Sequence, residues 1–90
     1  SSTPAEYELS SSLTFQIADR QGRPLVGPET LGTQRTYVND KDNIIGTTEE
    51  EELLRREMRQ DLTRQLLFRL SSITEGQLSS YESRLNQQEN

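Results

Sequence analysis

Apolar and polar positions alternate strictly from Tyr7 to Ile17. Tyr7, Leu9, Leu13, Phe15 and Ile17, with Ser11 among them, take the odd positions, and Glu8, Ser10, Ser12, Thr14 and Gln16 take the even ones. A period of two marks a strand with one buried and one wetted face. Asp19-Arg20-Gln21-Gly22 follows, with Asp opening and Gly closing a turn, so the chain is predicted to reverse there as a hairpin. Pro24, Gly27 and Pro28 come next, residues that suit a sheet edge or a bulge and not a central strand. From Leu31 to Val38, the residues Thr33, Thr36, Tyr37 and Val38 favour a second strand. Its register stays open. A slip of one residue decides whether Leu31, Arg35 and Tyr37 or Gln34, Thr36 and Val38 face the core.

The period then changes. After a polar loop over 39–47, Leu54, Met58, Leu62, Leu66, Leu70 and Ile73 recur at helical spacing and cover an arc of about 160°. Thr47 has Glu50 three residues on, and Thr48 has Glu51, so either forms a capping box. Glu49 to Glu52 then fall in the first turn, where the helix dipole favours negative charge. The helix is predicted over 48–73. Arg55, Arg59 and Arg69 lie inside or at the rim of the apolar arc, so they snorkel along their stems or meet acidic partners. From Thr74 to Asn90 the chain is rich in Ser, Gln, Glu and Asn and is expected to be a disordered polar tail. The fold class is α+β: a two-layer sandwich over 1–73, with an antiparallel hairpin over 5–38 packed on one long amphipathic helix. Two strands and a helix rarely stand alone, so further strands or a helix are expected to complete the layer.

Composition sharpens this picture. Only 29% of the 90 residues are hydrophobic and 28% are charged, against about 45–50% apolar in ordinary domains, so the core is thin. The net charge is −5, opposite in sign to the basic footprint of a nucleic-acid binder. No stretch approaches the roughly 18 apolar residues of a membrane span. The opening Ser-Ser-Thr-Pro-Ala-Glu has no basic segment followed by an apolar run, so it does not read as a signal peptide.

Catalytic chemistry finds little to work with. The chain has no Cys and no His, which removes thiol nucleophiles, His-based triads and ordinary zinc sites. Glu49 to Glu52 point in successive directions around a helix and cannot converge. Asp40 and Asp42 flank Lys41 without the spacing or terminal Glu of a calcium loop. The expectation is no enzyme, no metal and no cofactor. Arg20, Arg23, Arg35 and Lys41 are candidate anion contacts, since guanidinium groups suit phosphate and carboxylate. The plainer expectation for Arg35 is a cross-strand pair with Glu6 or Glu8.

Three segments carry a family resemblance. They are Gln21-Gly22-Arg23-Pro24-Leu25-Val26-Gly27-Pro28-Glu29-Thr30-Leu31; Arg35-Thr36-Tyr37; and Glu49-Glu50, continuing through Leu53-Leu54-Arg55-Arg56-Glu57-Met58-Arg59-Gln60-Asp61 to Gln65-Leu66-Leu67-Phe68-Arg69-Leu70. In that order and spacing they resemble the C-terminal half of the LptE (formerly RlpB) family of lipopolysaccharide-assembly outer-membrane lipoproteins. The resemblance implies a small sheet with two helices on one face, and a place at the periplasmic side of the outer membrane in Gram-negative bacteria. It implies a non-catalytic plug and assembly partner of the LptD β-barrel that also contacts lipopolysaccharide. Family members begin with a signal sequence, a lipid-modified cysteine, and a first strand and helix. This stretch contains none of these, so anchoring is expected only through an N-terminal lipid outside it. Within the resemblance, Arg35 and Lys41 are the expected lipopolysaccharide contacts, and Arg55, Arg59 and Arg69 the expected partner interface. The competing reading is a generic periplasmic α+β protein-interaction module without lipopolysaccharide binding.

Overall fold

The computed structural model describes residues 5–89. The first four residues, which open the stretch read above as lacking signal-peptide features, lie outside them. Two long antiparallel strands, β1 (Ala5–Ala18) and β2 (Pro24–Asn39), form the hairpin. The turn falls where Asp19 and Gly22 predicted it. Asp19 Oδ1 accepts the backbone N–H groups of Gln21 and Arg23, each at 2.9 Å, and Gly22 sits at φ +84°. This is an Asx-type closure, in which a carboxylate gathers donors the turn would otherwise leave free.

The expected irregularity also appears. Phe15 pairs with Glu29 and Ile17 with Val26, so Gln16 alone stands opposite Gly27 and Pro28. A bulge of this kind takes up the two residues that a regular ladder rejects. Gly27 has φ +82°, and a Cβ there would lie 2.7 Å from the Phe15 carbonyl oxygen. Glycine is the residue that fits both constraints.

Beyond the bulge the register is regular, with Leu13 opposite Leu31, Leu9 opposite Arg35 and Tyr7 opposite Tyr37. The open question is thereby answered: Leu31, Thr33, Arg35 and Tyr37 share the half-buried face with Leu9, Leu13 and Phe15. Tyr7 and Tyr37 meet with ring centroids 5.9 Å apart. The other face carries Ser10, Ser12, Thr14, Gln16, Thr30, Gln34 and Thr36 and is exposed.

Helix α1 (Ile44–Ser71) lies across the inner face, mainly over β2. It starts a turn earlier than predicted. Asn43 caps it, its Oδ1 accepting the Gly46 N–H at 3.1 Å. Thr47 is not the cap, because its hydroxyl is engaged with the Asp40 backbone. Glu49 to Glu52 therefore sit past the first turn, where the dipole acts most strongly. Met58 and Leu62 are buried under the helix, and Val26 under the hairpin end; these are the buried apolar side chains among the described residues. The sheet thus packs on a long helix in an α+β arrangement, with a core as thin as the composition required.

The expectation of a disordered tail is corrected. Thr74 opens a second helix, α2 (Glu75–Gln88), with a complete capping box. Its hydroxyl accepts the Gln77 N–H at 3.1 Å, and Gln77 Oε1 accepts the Thr74 N–H at 3.0 Å. Polar composition argued for disorder, but the paired cap satisfies donors that a frayed end leaves open. Leu78, Tyr81 and Leu85 lie partly covered on its inner side. The molecule measures 70 × 21 × 16 Å.

Candidate interaction site

Ionic and hydrogen-bonded contacts join the hairpin to the helices around the buried Met58 and Leu62. At one end Arg69 forks onto Glu29, with Nε to Oε1 at 2.8 Å and a terminal guanidinium nitrogen to Oε2 at 2.7 Å. These bonds hold the Glu29 carboxyl below its ordinary value. Mid-length, Arg35 donates to the Thr33 hydroxyl at 2.9 Å, and that hydroxyl donates to Asp61 Oδ2 at 2.7 Å. The Thr33 hydrogen bond is the main reason the Asp61 carboxyl lies below its ordinary value. The Arg35 guanidinium stands 3.7 Å from the same oxygen. Nearer the loop, Tyr37 donates to Glu51 Oε2 at 3.0 Å, and Arg55 donates to Glu51 Oε1 at 2.7 and 3.1 Å. Arg55, and then Tyr37, lower the Glu51 carboxyl, while the Glu51 contact raises the Tyr37 phenol.

A fourth cluster fastens α2 to the turn. Arg23 reaches Asp19 Oδ2 at 2.8 Å, Asn86 Oδ1 at 2.8 Å and Glu89 Oε2 at 2.9 Å. Burial works to raise the Asp19 carboxyl, but the hydrogen bonds from Arg23 and Gln21 outweigh it and the net direction is down.

These contacts sort the expected site residues. Arg69 is spent on the hairpin and Arg55 on its own helix. Arg35 faces α1 and not a neighbouring acid across the hairpin: it stands opposite Leu9, while Glu8 stands opposite Thr36 on the other face. The cross-strand pair is therefore replaced by the contact to Asp61. Lys41 lies exposed in the loop before α1, and Arg59 is exposed on the helix.

Sequence reasoning missed two residues beside Arg59. Arg56, Arg59, Gln60, Thr63 and Arg64 line a shallow depression along α1, and Arg59 at its edge also borders a cavity with Ser10, Ser11, Arg55 and Met58 on the hairpin side. The three guanidinium groups of the depression and the Gln60 amide carry donors, the Thr63 hydroxyl donates to the Arg59 carbonyl, and none of its five side chains is a carboxylate. Among the described residues, Arg56, Arg59 and Arg64 form no ion pair. Leu53, Leu67 and Phe68 flank them at 47%, 61% and 79% exposure. The signal was present in the helical spacing, but it separates from the arginines of the inner face only once the internal pairs are known.

The arrangement offers donors and apolar contact over a broad surface. Among the described residues, no group of acidic side chains is placed to hold a metal ion, and no helix is long and apolar enough to cross a membrane. Against this geometry, a family model described as LptE, lipopolysaccharide-assembly, matches residues 1–70. The chain belongs to the LptE family. No curated protein matches it. The LptE match takes in the hairpin and nearly all of α1, so every internal arginine pair of α1 falls within it, whereas α2 lies beyond.

Proposed function

We propose that this LptE-family chain is a non-catalytic component of lipopolysaccharide transport at the periplasmic side of the outer membrane. In this reading it plugs and helps assemble an LptD-type β-barrel and contacts lipopolysaccharide. The observation that carries it is a slender, polar body within a lipopolysaccharide-assembly family: 70 Å long, about 20 Å across, with three buried apolar side chains among the described residues. A polar outer sheet face and a donor-rich helix face can hydrogen-bond a polar barrel wall. A protein interior closed by so few apolar groups gains stability from any partner that binds only the folded state.

Lipopolysaccharide presents phosphates, and Arg35 and Lys41 are the proposed contacts. Lys41 is freely accessible. Arg35 keeps a third of its side chain exposed and holds Asp61 only at 3.7 Å, so a phosphate can compete for it. The test is binding of the chain to immobilised lipopolysaccharide at low and high salt. Arg35→Glu with Lys41→Glu is expected to weaken capture several-fold, and added salt to weaken wild-type capture in the same way. Unchanged capture by the double variant would remove the two contacts from the proposal. A failure of wild-type protein to bind either lipopolysaccharide or the barrel would leave the generic periplasmic interaction module as the better reading.

A further inference from the structure

The internal pairs of α1 leave one surface unaccounted for. On its inner side Asp61 and Arg69 are committed to the hairpin, and Glu51 bridges Tyr37 and Arg55. Arg56 and Arg64 on the outer side, and Arg59 on the flank where it also borders a cavity with Ser10, Ser11 and Met58, meet no carboxylate within ion-pair distance among the described residues. The helix carries no acid after Asp61, so its outer face from Arg59 onward is cationic in a chain of net charge −5. At ~100° per residue the three arginines spread over about 140° of the helix surface. That arc is too wide for one phosphate group, and it is interrupted by Gln60 and Thr63. Acidic Glu52 and Glu49 lie one and two turns before Arg56, and Glu57 lies between Arg56 and Arg59, a poor match to a uniformly anionic lipid surface. Exposed Leu67 and Phe68 continue the patch. Arginine beside large apolar side chains is the composition enriched in protein interfaces.

We infer that the outer face of α1 docks against a protein wall bearing carboxylates opposite Arg56, Arg59 and Arg64, with Leu67 and Phe68 in apolar contact. This rests on the barrel-partner reading and assigns it a surface: the partner meets the back of the helix, through arginines other than Arg55 and Arg69. Guanidinium groups on a preformed helix present fixed forks to carboxylates, which favours register over strength.

The test uses the full chain and a detergent-solubilised LptD-type barrel. Wild type is compared with Arg56→Glu/Arg59→Glu/Arg64→Glu and with the neutral Arg56→Gln/Arg59→Gln/Arg64→Gln, and circular dichroism checks helix content. All three positions are exposed, so both variants are expected to fold. The reversal is expected to weaken barrel binding on the order of a hundredfold. The neutral variant is expected to lose most of the salt dependence seen in wild type. If wild type binds and both variants bind equally well, the assignment of this face is overturned while the barrel reading stands. If wild type does not bind, the barrel reading fails and this inference with it. If the reversal spares barrel binding but abolishes binding to vesicles containing phosphatidylglycerol, the face serves anionic lipid and the protein-wall assignment is overturned.

Discussion

Replacing Leu62 by alanine tests how the fold is held together. Leu62 is 5% exposed between α1 and the hairpin, and with Met58 it forms the buried part of the helix. The substitution deletes three carbon groups. At about 0.8 kcal/mol each, the transfer cost is about 2.4 kcal/mol. The cavity term adds little, because the site lies one layer from solvent and its half-buried neighbours can move in. The expected loss is therefore at the low end of the ~2–5 kcal/mol range for such truncations. Folded chains hold about 0.05–0.15 kcal/mol per residue, and so thin a core places this one near the lower figure. Leu62→Ala should then remove about half of the total. In urea melts followed by helical circular dichroism, with a slope near 1 kcal/mol per molar, the midpoint should fall by about 2 M. Leu67→Ala is the internal control. It lies on the opposite side of the same helix at 61% exposure and should change stability by no more than about 0.5 kcal/mol. Equal effects of the two substitutions would refute the packing of α1 through Met58 and Leu62.

Other consequences are open to measurement. Gly27→Ala should lower the unfolding midpoint clearly more than Gly22→Ala: both sit at positive φ, but only at Gly27 does a Cβ collide with backbone. Asp19, Glu29, Glu51 and Asp61 all lie below their ordinary 3.8 or 4.5 in the folded chain. A depressed carboxylate stabilises above its unfolded pKa, and that stability is lost as pH falls through the folded value. The melting temperature should therefore hold steady from about pH 8 to 6 and drop below about 4.5, with a shallower drop in Glu29→Gln/Asp61→Asn. Thr74→Ala removes the capping box and should destabilise α2 by about 1 kcal/mol, read as faster amide exchange over 75–88 with the hairpin unchanged.

The hairpin and the inner face of α1 could be read directly from the chain, because period-two alternation and an apolar arc each have one physical interpretation. Helix starts were harder. Thr47 and Thr48 read as the caps, but Asn43 caps the helix and the Thr47 hydroxyl turns back onto Asp40 in the preceding loop, a contact the capping-box spacing does not reveal. Helix α2 was present in the sequence as Thr74 and Gln77 at capping-box spacing, with Leu78, Tyr81 and Leu85 behind them, yet average polarity outweighed these few positions. The roles of the arginines were least accessible. Arg35 was expected to pair with Glu6 or Glu8, and only the register, with both acids on the other face, turns it toward Asp61; Arg56 and Arg64 emerge as a surface only after Arg55 and Arg69 are seen to be committed internally.

The most direct test of the central claim is the mass of the complex formed when the chain is mixed with a detergent-solubilised LptD-type barrel and separated by size. A plug and assembly partner predicts a stable species containing one chain per barrel, with amide-exchange protection on the outer face of α1. Two free components, at concentrations where the chain is folded, would contradict it.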